Sequence, residues 1–179
     1  YGLNDFVDVA FEVARGCGAT GWVYSITSKY QVFLSMFSPQ AQEDVWGDDP
    51  RAVTAASFTP AGTAVPVDGG YHLSGKWMYC SGVDNCGWMI VGTIVPPADG
   101  NGPGVKGYAL APTTDYDMDD NWHVVGLAGT GSKNVTCENL FIPEHRFLTI
   151  DDTISGNPPG AEINKAPIYS VPLFSMIFI

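Results

Sequence analysis

The chain of 179 residues carries 19 acidic against 8 basic side chains, a formal net charge of −11, with 45% hydrophobic residues, 21 glycines and 13 prolines. That balance describes a folded, turn-rich protein with an anionic surface, and it argues against nucleic acid or anionic membranes as partners, since both are held by clustered Lys and Arg. The length suits one main domain hiding roughly 70% of its unfolded surface. Cys17, Cys80, Cys86 and Cys137 are scattered without a C-x-x-C pair, which points to a reducing cytoplasm and away from a zinc site or a disulfide framework.

Leu3, Phe6, Val7, Ala10, Val13 and Ala14 recur at helical spacing with Asp5, Asp8 and Glu12 left for the wet side, until Gly16 and Gly18 break the pattern. From Thr20 to about Phe37 the apolar residues are too dense for one face, which predicts a second, mostly buried helix. Ser38-Pro39 reads as an N-cap followed by Pro at the first helical position, opening a short helix to Trp46 that Gly47-Asp48-Asp49-Pro50 stops. Beyond Arg51 the period changes to that of an antiparallel all-β unit, with strands expected near 52–58, 63–67, 71–79, 87–95, 106–112, 121–126 and 133–142. Asp68-Gly69-Gly70 is the best hairpin turn, and prolines 96, 97, 103 and 112 mark loops or strand ends. The closing run SVPLFSMIFI is far shorter than the roughly 20 apolar residues of a bilayer span. It has no cap or polar tail, and the chain opens without Met inside a helical pattern, so an internal piece of a longer protein is expected.

Chemistry concentrates in GKWMYCSG, residues 75–82. As a strand it presents Trp77, Tyr79 and Ser81 on one face, suited to a flat, partly polar ligand, and Met78, Cys80 and Gly82 on the other. Aromatic residues also favour any half-buried sheet, so the pattern alone leaves a purely structural strand open. The segment from Gly126 to Lys133, GLAGTGSK, has its Lys after Ser where a phosphate loop needs the reverse, and it reads as a tight glycine turn. His72, His123 and His145 lie too far apart for a metal motif, and Asp115, Asp117, Asp119 and Asp120 lack calcium-loop spacing, so no metal is expected.

Taken together, GGYHLSGKWMYCSG, Trp88 after a short loop, and NWHVVGLAGTGSKNVTCENLFIPEHR resemble the acyl-CoA dehydrogenase superfold. That resemblance implies an α+β protein: 1–50 the end of an N-terminal helical domain, 51–150 a central antiparallel β-barrel or sandwich facing a flavin, and 151–179 the start of a C-terminal helical domain. The dehydrogenase branch usually reads T-E-P with a G-S-D shortly after, whereas this chain has SFTPAGTA at 57–64. With CGATGWVYS and PQAQEDVWGDDP, that segment is similar to the oxygenase components of two-component flavin-dependent aromatic monooxygenases.

The resemblance implies a separate flavin reductase delivering reduced FMN or FAD, addition of molecular oxygen at C4a, and transfer from the C4a-hydroperoxide to an aromatic small molecule, in a homotetramer. It implies further that Ser57, Phe58, Thr59, Trp77, Cys80, Ser81 and Gly82 line the isoalloxazine, with Ser81 near N5, and that Trp22 closes the pocket. Relatives acting on phenols carry a His eight residues after the Trp matching Trp22; here that residue is Tyr30, a donor and a poor base. The usual S-S-G reads Cys80-Ser81-Gly82. A non-phenolic substrate such as an indole, a sulfur heterocycle or an amine fits these departures, and the alternative reading is an acyl-CoA dehydrogenase-like enzyme oxidising an acyl thioester with FAD.

Overall fold

The structure, a computed structural model, describes residues 3–171; the apolar run beyond them lies outside the described residues. Three helices come first: α1 (Leu3–Gly16), α2 (Gly18–Leu34) and α3 (Pro39–Trp46). The break between α1 and α2 is confined to Cys17, and a Cβ on Gly21 would collide with Ala14, so the two helices fold back on each other in close contact. None of α1 is buried, and only Gly21, Phe33 and Leu34 of α2 are. The expected mostly buried second helix is therefore buried chiefly at its C-terminal end. Ser38 caps α3 as expected, its hydroxyl accepting from Ala41 N at 3.2 Å with Pro39 following.

Seven strands follow: β1 (Thr54–Val67), β2 (Gly70–Cys80), β3 (Trp88–Val95), β4 (Val105–Pro112), β5 (Asp117–Asp119), β6 (Lys133–Pro143) and β7 (Phe147–Thr149), before the one-turn helix α4 (Ile150–Ile154). They form one sheet in the order β5-β6-β2-β1-β3-β4-β7. All its pairs are antiparallel except β1 with β3, which run parallel. Tyr71 of β2 packs on Phe147 of β7, ring centres 4.7 Å apart, although three strands separate them in the sheet, so the sheet curls on itself. Val67 pairs with Gly70 across the expected hairpin, where Gly69 takes a φ of 75° that costs glycine nothing.

Period-two alternation sorts the core into two parts. Ala55, Met89, Val91, Ala109 and Ala111 point into the curled sheet, while Ala56, Ile90, Tyr108 and Leu110 point out against Phe33, Leu34 and Phe37 of the helices. Central strands are thus buried on both faces. The two strands expected at 52–58 and 63–67 are one, and 121–126 forms none. There Val125 is fully exposed and Val124 is 38% exposed, so no face is buried, and Asn121 and His123 close local turns onto Asp119 O and Asn121 O.

Asp44 of α3 joins the helices to the end of β6. Its carboxylate accepts from His145 Nε2 and Arg146 Nε, both at 2.7 Å, and the Arg146 guanidinium lies 5.0 Å over the Trp88 ring. Burial pushes the Asp44 carboxyl up, but the hydrogen bonds from His145 and Arg146 outweigh it and hold the group below the usual carboxylate range. A depressed folded-state pKa contributes stability that is complete above the unfolded value, about 3.9, and is lost as pH falls through the lowered one. Asp44→Asn should therefore reduce stability at pH 7 and flatten its decline below about pH 4, read from denaturant midpoints across pH 3–7.

Candidate functional site

The site is built where β1 and β2 part. The two strands pair from Val67↔Gly70 back to Gly62↔Gly75 and no further. On its other side β1 pairs with β3 up to Ser57↔Val91, then resumes at Gly62↔Thr93, leaving 58–61 as a bulge opposite Gly92. The Gly92 carbonyl accepts from Trp77 Nε1 at 2.7 Å. Cβ atoms on Gly62 or Gly75 would strike the Trp77 indole, and one on Gly92 would strike the Phe58 and Thr59 carbonyls. Gly62 and Gly75 therefore make the slot that Trp77 fills and Gly92 admits the bulge, which is turned out with Thr59, Pro60 and Ala61 exposed.

This placement corrects two expectations. Trp77 and Cys80 are fully enclosed in the sheet core, Cys80 Sγ lying 3.8 Å from Trp77 O, so neither presents a side chain to a ligand. The expected alternation fails because Tyr79 takes a φ of 62°, in the left-handed region, and the pairing with β6 slips between Trp77 and Cys80. Tyr79 swings out to 67% exposure and meets Trp122 edge to face, 6.1 Å between ring centres. Such a conformation costs a non-glycine residue on the order of 1–3 kcal/mol.

Ser81 and Trp22 are brought together. Trp22, half exposed on α2, points its Nε1 at Ser81 Oγ over 3.4 Å. Gly82, at a φ of 75°, lets α2 come this close, for a Cβ there would lie 2.8 Å from Val23 Cγ1. Ser57 closes the gap between the parted strands by donating its hydroxyl to Met78 O at 3.1 Å. Phe58 turns from the bulge into an aromatic group with Tyr30, Phe33 and Tyr108, at centre distances of 5.5, 5.4 and 5.7 Å. Within it, burial pushes the Tyr30 phenol well above its ordinary range. Tyr30 is therefore a neutral hydrogen-bond donor at any ordinary pH, and no base.

Two residues of the site escaped sequence reasoning. Thr130 and Ser132 belong to the Gly126–Lys133 turn that was set aside as a failed phosphate loop, and that turn is tight, with Leu127 at a φ of 55° and Gly131 at 56°. Cys80↔Lys133 pairing and the Gly82 N–H donating to Thr130 O at 2.8 Å lay the turn against the end of β2. Ser132 Oγ then lies 2.7 Å from Ser81 Oγ and 2.9 Å from Thr130 Oγ1. Lys133 and Asp84 bracket the junction with an ion pair of 2.6 Å. The signal available in the sequence was two hydroxyl residues just before a predicted strand.

The donor set can be weighed against a flavin, a flat apolar ring system with a polar N–H and C=O edge. Exposed Trp22 lies over the Ser81 hydroxyl, and exposed Met78 and Tyr79 precede it in the chain, apolar area to cover such a ring and a hydroxyl to meet its edge. Ser57, Thr59, Ser81 and Gly82 surround the parting of the strands and fit the group. Among the described residues no group of three or more His, Cys, Asp or Glu side chains could hold a metal ion, and no helix is long and apolar enough to cross a membrane.

The similar known proteins include flavin-dependent enzymes. No family model matches the sequence. The oxygenase component of an FADH2-dependent resorcinol hydroxylase from Rhizobium sp. is 40% identical over 174 residues, 97% of this chain and 42% of its own length. The solved 3-HSA hydroxylase of Rhodococcus sp. RHA1 is 43% identical at a TM-score of 0.85, over 89% of this chain and 41% of that one. XiaF from Streptomyces sp., solved with FADH2 and glycerol, is 30% identical at a TM-score of 0.77, over 90% of this chain and 40% of that one. The chain thus spans less than half the length of the relatives it matches. Over the region it spans, the chain is similar in sequence to oxygenase components of flavin-dependent aromatic hydroxylases and shares their acyl-CoA dehydrogenase-like fold.

Proposed function

We propose that this chain is the flavin-facing part of the oxygenase component of a two-component monooxygenase that hydroxylates an aromatic small molecule, using reduced FMN or FAD and molecular oxygen. The observation that carries the reading is 40% identity over 97% of the chain to an oxygenase component named for its FADH2 dependence. Residues 1–50, 51–150 and 151–179 are read as parts of three domains, helical, sheet and helical. The word "component" in the relatives' names supports a separate reductase; large exposed apolar side chains such as Val9 and Phe11 suit a homotetramer, and four free cysteines suit the cytoplasm.

Bound reduced flavin supplies the activated oxygen, which no side chain here can generate. The chain's own residues do the rest. Ser81 meets the polar edge of the ring near N5, beneath Trp22, while Ser57 holds the strand ends and Thr59 and Gly82 border the ring. Trp22 screens the Ser81 hydroxyl, and the half-buried Phe58 with the enclosed Phe33 and Tyr108 rings forms an apolar floor that limits access of water. Tyr30 donates a hydrogen bond to a polar group of the substrate and takes no proton from it, which favours a substrate that reacts without losing one.

The deciding experiment uses the intact protein, mixed anaerobically with photoreduced FMN or FAD and then with oxygen in the presence of a phenol, an indole or a sulfur heterocycle. Incorporation of one oxygen atom into the aromatic product is expected, read by mass spectrometry with labelled oxygen. Reduction of protein-bound oxidised FAD by an acyl-CoA would overturn the assignment in favour of thioester dehydrogenation. With a productive substrate in hand, Ser81→Ala should raise the share of oxygen released as hydrogen peroxide, by up to about tenfold for the loss of one ordinary hydrogen bond. Tyr30→His should introduce a pH dependence absent from the parent, with turnover of phenols rising as the imidazole becomes neutral, through about pH 6.5. An identical pH profile in the two proteins would remove Tyr30 from the substrate pocket.

A further inference from the structure

The hydroxyls of Ser81, Ser132 and Thr130 form a string whose two ends differ in kind. At one end the Trp22 indole N–H can only donate, and it lies 3.4 Å from Ser81 Oγ. At the other end the Leu127 carbonyl can only accept, and it lies 2.9 Å from Thr130 Oγ1. Between them Ser81 and Ser132 are 2.7 Å apart and Ser132 and Thr130 2.9 Å.

Each hydroxyl has a single proton, so only one arrangement makes all four contacts hydrogen bonds. Thr130 donates to Leu127 O, Ser132 to Thr130, and Ser81 to Ser132. In the reversed string Thr130 would oppose the Leu127 carbonyl lone pair to lone pair at 2.9 Å. The Leu127 carbonyl also accepts from Thr130 N at 3.1 Å and Trp122 Nε1 at 3.0 Å, so it is that repulsion, in a string whose Thr130 and Ser132 are each only 2% exposed and out of reach of solvent, that sets the direction of the string. The Ser81 hydroxyl is left with its proton engaged inside the protein, one lone pair facing Trp22 and the other lone pair free.

We propose that Ser132 and Thr130 are positioning residues that fix Ser81 Oγ as a hydrogen-bond acceptor toward the cofactor, so that the site selects reduced over oxidised flavin. Reduced flavin carries a proton on N5 and can donate to that lone pair. Oxidised flavin has only a lone pair at N5, and meeting it would require Ser81 to turn its proton away from Ser132 and break the string. The inference rests on the reading of Ser81 as the residue facing N5, and it assigns the direction of that contact to a turn that itself touches no flavin.

The test is anaerobic titration of the intact protein with FMN and with FAD, each oxidised and chemically reduced, giving the ratio of oxidised to reduced dissociation constants. The parent should bind the reduced form more tightly. Ser132→Ala frees the Ser81 proton to face either way and should lower the ratio by about tenfold, the equivalent of one ordinary hydrogen bond. Thr130→Val should act in the same direction and Thr130→Ser should restore the parental ratio, and these two carry the comparison should Ser132→Ala not fold. An unchanged ratio in Ser132→Ala and Thr130→Val overturns the proposal; if Ser81→Ala nonetheless shifts it, the flavin reading of Ser81 stands alone. A parent that binds neither flavin in either state overturns that reading and the proposal together.

Discussion

The hydrogen bond from Trp77 Nε1 to the Gly92 carbonyl is the constraint around which the rest of the sheet is arranged. It takes the carbonyl of the β3 residue that β1 skips, and it holds the indole flat against Gly62 and Gly75. With that slot filled, β1 bulges outward and parts from β2, and full burial of so large an aromatic contributes on the order of 2–3 kcal/mol toward keeping it so. Phe58 is thereby turned toward the helices and the Thr59–Ala61 edge toward solvent. The side chain that attracts attention in GKWMYCSG as a ligand wall is instead the part that shapes the wall others make.

From that parting of strands the functional geometry follows in order. Cys80 returns to the core after Tyr79 flips out, and the flip leaves Ser81, itself only 8% exposed, just past the end of β2 beneath Trp22. Gly82 then admits α2, and the turn before β6 lies down against the same strand end. Helix, strand and turn meet at a single hydroxyl. The aromatic group of Tyr30, Phe58, Phe33 and Tyr108 closes the other side, and its depth keeps the Tyr30 phenol protonated.

What could be read from sequence was what depends on neighbours in the chain. Ser38-Pro39 announced α3 because capping is a local hydrogen bond, and Asp68-Gly69-Gly70 announced the hairpin because only the turn residues need a special conformation. The family resemblance, carried by separated motifs in order, also singled out Ser81 and Trp22 as candidates, and these lie 3.4 Å apart in space and 59 positions apart in sequence. Alternation misled at 77–81 because a single left-handed residue, Tyr79, shifts every later side chain to the other face, and no local signal marks such a slip. At 121–126 β-favouring residues gave no strand, since nothing lies there for a face to be buried against. Thr130 and Ser132 were unreadable for a different reason: their importance comes from a partner 51 residues away from Ser132.

The cysteines that surround the site bear on its durability. Burial pushes the Cys80 thiol up to about 12 and those of Cys86 and Cys137 to about 11, and Cys86 Sγ donates to Gly82 O at 3.3 Å, next to Ser81. Peroxide attacks the thiolate and spares the thiol. At pH 7 burial keeps the Cys80 thiol protonated. These three buried thiols are therefore less reactive toward such an oxidant than an exposed one. Cys17, exposed at the α1–α2 break and held below its ordinary range by hydrogen bonds from Thr20 and Ala19, is the position where oxidative wear would first be recorded.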